Sequence, residues 1–106
     1  MNREVLSVAR GPTLVVTFRS VHDVMKAEAR LGAAGLWCDV IPAPREITSD
    51  CGMVVEILAS DADRALGEID SSEGGGARWE GLYAPAGGAY GLLRRRGGEK
   101  KGAGAA

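Results

Sequence analysis

Apolar residues in this chain fall into short blocks separated by polar and glycine-rich breaks, and the spacing within each block predicts its element. Thr13-Leu14-Val15-Val16-Thr17-Phe18 follows Gly11-Pro12, is rich in β-branched side chains, and reads as a strand. Val21, Val24, Met25, Ala29, Leu31 and Ala34 then recur at mixed three- and four-residue spacings, with Lys26, Glu28 and Arg30 on much of the opposite side. That pattern predicts an amphipathic helix over roughly 20–34, stopped by Gly35. Ser20 is placed to cap it, and Asp23 three residues on is a variant of the capping box. Leu36 to Ile41 is a second strand, with Cys38 and Val40 on one face and Trp37, Asp39 and Ile41 on the other; Pro42 and Pro44 end it. Met53-Val54-Val55-Glu56-Ile57-Leu58 is a third strand. Ser60 or Asp61 can cap a second helix over roughly 61–71, with Ala65, Leu66 and Ile69 facing inward. Gly74-Gly75-Gly76 is a break, and Arg78 to Tyr83 reads as a short last strand.

The order is β-α-β twice over. It predicts an α+β fold of ferredoxin-like β-α-β-β-α-β type, a four-stranded antiparallel sheet with two helices on one face. The second and third strands then form a hairpin, and the run between them is its loop. The expected division is a leader over 1–12, a domain over 13–93 and a basic, Gly/Ala-rich, disordered tail over 94–106.

Composition narrows the function. With five aromatic residues in 106, the core has to be aliphatic, and a chain this size builds one thin core. Dimerisation through the open sheet face would help it. The formal charge of −1 hides a split: the five basic residues of 94–106 against Glu99 give that tail +4, leaving −5 on residues 1–93. A mildly acidic body argues against a nucleic-acid platform, and the first and third strands lack the aromatics an RNA-binding sheet uses. No apolar run is long enough to span a membrane and Met1–Pro12 has no signal-like apolar core, so the expected location is the cytoplasm. There thiols stay reduced. Two Cys and one His without short spacing predict no metal site, and no cofactor is expected. His22, in the first helical turn, reads as solvated surface.

One residue is left that can do chemistry. Cys51 ends the run Pro42-Ala43-Pro44-Arg45-Glu46-Ile47-Thr48-Ser49-Asp50-Cys51-Gly52. The prolines fix φ near −65° and hold Ile41 and Ala43 extended, which stiffens the connection. A thiol attacks as the thiolate. Arg45, six residues upstream, supplies a positive charge; Thr48 or Ser49 can donate a hydrogen bond; and the turn through Gly52 can aim amide hydrogens at the sulfur. Asp50 and Glu46 oppose an anion. Gly52 leaves one flank of the sulfur without a side chain.

These residues carry a resemblance. Phe18-Arg19-Ser20 leading into a helix, the run Ile41 to Gly52, and the closing Glu80-Gly81-Leu82-Tyr83 resemble the Putative Se/S carrier protein-like family over Thr13–Tyr83. The resemblance implies a protein that carries sulfur or selenium on a single cysteine, here Cys51. A cysteine desulfurase-like donor would form a persulfide or selenosulfide there, and an acceptor enzyme would receive it.

Blander readings compete. A lone Cys at a strand start is most often a small inert hydrophobe. Cys38 reads as packing; the alternative is that it resolves an oxidised Cys51, which requires Cα atoms within roughly 7 Å. The run Arg94–Arg96 reads as solvated. A whole-protein alternative is a small interaction or redox-sensing module that uses the open sheet face. A free-standing enzyme is the weakest reading, because no second catalytic group accompanies the thiol. A carrier is favoured over an enzyme.

Overall fold

The computed structural model describes residues 11–47, 51–70 and 77–96. Five strands and two helices follow one another as β1 (Thr13–Phe18), α1 (Val21–Ala33), β2 (Cys38–Pro42), β3 (Met53–Leu58), a 3₁₀ turn (Ala59–Asp61), α2 (Ala62–Asp70), β4 (Trp79–Ala86) and β5 (Ala89–Arg95). The strands form one antiparallel sheet in the order β2-β3-β1-β4-β5.

The sheet has five strands, so the expected four-stranded description is corrected. The added strand pairs with β4 through a two-residue turn at Gly87-Gly88. Both glycines have positive φ, 57° and 87°, the values of a type I′ turn, whose twist suits a tight hairpin. Arg94 and Arg95, assigned from sequence to a disordered tail, sit in β5 opposite Leu82 and Gly81. Residues 1–10 of the expected leader and 97–106 of the tail lie outside the described residues.

Strand alternation sorts side chains to two faces. On one, Leu14, Val16, Phe18, Val55, Ile57 and Leu82 pack with Val24, Ala27 and Leu31 of α1 and Ala65, Leu66 and Ile69 of α2. This is the main core, and both helices lie on it. Asp70, at the end of α2, ties the layers together: one carboxylate oxygen accepts from Trp79 Nε1 at 3.1 Å and the other from Arg96 Nε at 2.8 Å.

α1 begins where its sequence says. Ser20 is extended (φ −140°, ψ 156°) and its Oγ accepts from the Asp23 amide at 3.1 Å while donating to the Asp23 carboxylate at 3.2 Å. Ser20→Ala removes the cap and should cost about 1 kcal/mol in urea denaturation; Ser20→Thr or Ser20→Asp should recover most of it.

The opposite face of the sheet is not bare. Ile47, 4% exposed, folds from the β2–β3 loop onto Val15 and Val54, with Ile41, Ala43, Tyr83 and Tyr90 around them. The protein's own loop thus occupies part of the surface assigned from sequence to a second subunit. Among the described residues no helix is long and apolar enough to cross a membrane.

Candidate functional site

The β2–β3 connection is built as a clamp around its two ends. The register carries β2 and β3 together up to Pro42 opposite Met53. Pro42 is tolerated there because β2 is an edge strand. Beyond it the Ala43 amide donates to the Gly52 carbonyl at 2.9 Å and closes the loop. Pro44 starts a turn in which the Ile47 amide donates to the Pro44 carbonyl at 3.0 Å. Arg45 and Glu46 are its exposed central residues. Ile47 then anchors the loop on the helix-free face. Thr48, Ser49 and Asp50 lie outside the described residues, so the anion-stabilising roles expected of Thr48 and Ser49 fall there.

Cys51 comes up on the other side. It is half-buried and packs against the helix-covered core. Its Sγ donates to the Phe18 carbonyl at 3.7 Å and lies 3.4 Å from the Met53 carbonyl. Phe18 is the last residue of β1, two positions before the cap of α1. The thiol therefore sits where β1 hands over to α1, at the entrance to β3. The sequence signalled the loop but not these two contacts. Both of these partners are carbonyl oxygens, which accept.

Gly52 has φ +76°, the left-handed region that other L-residues enter at a cost of roughly 1–2 kcal/mol. A Cβ placed there would meet nothing within 4 Å. The penalty for a side chain there is therefore conformational. Gly52→Ala should lower stability by about 1 kcal/mol and change the alkylation rate of Cys51, because the turn that presents it must shift. Urea denaturation and thiol alkylation of the same sample check both.

Arg45 is exposed, with no hydrogen bond or ion pair to Cys51 among the described residues. Cys38 is also a half-buried thiol on the helix face, but it pairs with Ile57. Cys51 precedes Met53, and the four steps from Met53 to Ile57 alone span about 13 Å at strand rise. A disulfide tolerates roughly 7 Å between Cα atoms. This register favours the packing reading of Cys38 over the alternative that it resolves an oxidised Cys51: the two thiols pack on one face, toward opposite ends of the hairpin.

The model of the Putative Se/S carrier protein-like family matches residues 13–84. The chain belongs to that family. The match takes in β1, α1, the hairpin with Cys51, α2 and most of β4; β5 lies outside it. No curated protein and no solved structure matches the chain. In this Se/S carrier-like domain the loop and its thiol are therefore part of the family's own region, while the strand that widens the sheet follows it.

Proposed function

We propose that the protein carries sulfur or selenium on Cys51, taking it from a donor protein and passing it to an acceptor. The observation that carries this reading is the position of Cys51. It is a half-buried thiol at the end of a clamped loop, next to a glycine with no side chain, within the region matched to a Se/S carrier-like family.

The chemistry conserves oxidation state overall. Cys51 loses its proton and attacks the terminal sulfur of a donor persulfide, as a cysteine desulfurase provides. A new S–S bond forms to Cys51, the donor's S–S bond breaks, and the donor sulfur leaves as a thiolate that takes up a proton. In delivery, a nucleophile of the acceptor attacks the terminal atom, the bond to Cys51 breaks, and Cys51 is regenerated as a thiolate. Selenium follows the same two steps through a selenosulfide. Half-burial shields the loaded sulfur from bulk solutes, and the side-chain-free flank at Gly52 gives a partner protein its approach. Arg45, on the exposed turn, provides positive charge that can meet an acidic partner or the anionic terminal atom after loop movement.

The test is loading. The protein is incubated with a cysteine desulfurase and sulfur-labelled cysteine, then analysed by mass spectrometry without reductant. A gain of one sulfur atom on the peptide containing Cys51, removed by dithiothreitol, is the expected result. Label confined to Cys38, or no label while the desulfurase itself carries persulfide, overturns the reading.

A further inference from the structure

The face of the sheet away from the helices carries a cavity of about 590 Å³ that the thiol chemistry does not use. Its size lies within the range of small-molecule sites. Thr17, Gly81 and Tyr83 form its floor, and Arg19, Arg78, Arg95 and Arg96 stand around it with Glu46 and Glu80. Four guanidinium groups against two carboxylates give the lining +2, on a chain whose formal total is −1.

The four arginines are not equivalent. Arg19 pairs with Glu80 at 3.6 Å, and Arg96 is held by Asp70 at 2.8 Å. Arg78 and Arg95 have no carboxylate partner among the described residues. β-Sheet register explains why Arg95 is here: it lies opposite Gly81, so the two share a face. Gly81 itself keeps the floor low. A Cβ on it would lie 2.9 Å from Tyr83 Cε1 and 3.3 Å from Thr17 Oγ1, so the tyrosine ring covers this glycine. The hydroxyl of Thr17, a residue only 2% exposed, donates to the Gly81 carbonyl at 3.4 Å, which ties β1 to β4 under the cavity lining.

We infer that this cavity binds a compact phosphate-bearing small molecule, with Arg78 and Arg95 as the groups that hold the anion. A guanidinium is planar, permanently charged and matched to two oxygens of one phosphate. A concave site with an excess of positive charge strengthens that attraction by focusing the field. Glu46 and Glu80 in the lining favour a compact anion over a run of acidic side chains, which would meet these carboxylates as it crossed the cavity. The site lies back to back with the thiol: Thr17 and Arg19 line the cavity, and the carbonyl of Phe18 between them accepts from Cys51. It stands independently of whether Cys51 carries sulfur or selenium.

Pyrophosphate titrated into the full chain tests this by calorimetry and by amide chemical shifts. The expected result is saturable one-to-one binding, with shifts concentrated at Thr17, Gly81 and Arg95. Arg78→Gln with Arg95→Gln should weaken it by about tenfold or more, the range expected for lost charged hydrogen bonds. Arg64→Gln, on α2 outside the cavity, should leave it unchanged. Both variants should keep the parental circular dichroism spectrum and Tm. Shifts that map to residues 97–106, equal affinity in the double variant, or a glutamate-rich peptide that binds the same arginines more tightly than pyrophosphate would each overturn the proposal.

Discussion

Cys51→Ser should accept no sulfur from a desulfurase, whereas Cys38→Ser should load as fully as the parent. The first expectation follows from the chemistry of transfer. A serine hydroxyl is almost wholly protonated at neutral pH and forms no persulfide, so the loss is complete rather than partial. The second follows from the register. Cys38 lies opposite Ile57, at the far end of the hairpin from Cys51, and takes no part in either bond exchange. The serine hydroxyl can still donate to one of the carbonyls of Phe18 and Met53, so the variant should fold with a Tm close to the parent's. Full loading of Cys51→Ser at another site would remove this thiol from the mechanism. Failure of both variants together, with both folded, would point to a thiol pair and contradict the distance between them.

Much of this architecture can be read from local pattern. Ser20 as cap and the limits of β3 are each fixed by interactions within a few residues, and the structure places both as read. The apolar stripe of α1 is corrected in part: Val24 and Leu31 are buried together with Ala27, whereas Val21, Met25 and Ala29 are exposed. β5 was missed because its signal is weak: Ala89 to Arg95 contains a glycine and two arginines, and its residues are mostly exposed. The Gly87-Gly88 pair between Ala86 and Ala89 was the legible clue, since a two-glycine turn favours a hairpin. Of the site, the loop and its thiol were legible from Pro42, Pro44 and Gly52. The anchoring of Ile47 on one face and Cys51 on the other was not. It depends on how a loop crosses the end of a sheet, and no local spacing encodes that. The arginine cavity was hidden for the same reason. Residues Arg19, Arg78 and Arg95 are far apart in sequence, and antiparallel pairing of β1, β4 and β5 brings them together.

Phe18→Ala should destabilise the protein by about 3–5 kcal/mol, the usual cost of deleting a buried phenylalanine ring. Phe18 is 0% exposed and is the largest side chain fully enclosed in the core. It is also the only phenylalanine in the chain, and its partner across the ladder, Trp79, is itself packed in the core and tied to Asp70, so that ring is not free to fill the space. A domain of ordinary size is stable by only about 5–15 kcal/mol, so this one substitution removes a large share of the total. The effect should reach the thiol as well. The carbonyl that Cys51 bonds belongs to this residue, at the point where β1 pairs irregularly with β4 and the ladder slips between Thr17 and Phe18. With the ring gone, that strand end loses its largest side chain in the core it shares with α1. Urea denaturation should show an earlier midpoint, and alkylation of Cys51 should accelerate under conditions where the protein remains folded. Phe18→Leu, which keeps most of the volume, should recover most of the stability and the parental alkylation rate. A loss below about 1 kcal/mol for Phe18→Ala, or unchanged Cys51 reactivity in a destabilised protein, would mean that the core and the thiol are not joined through the end of β1.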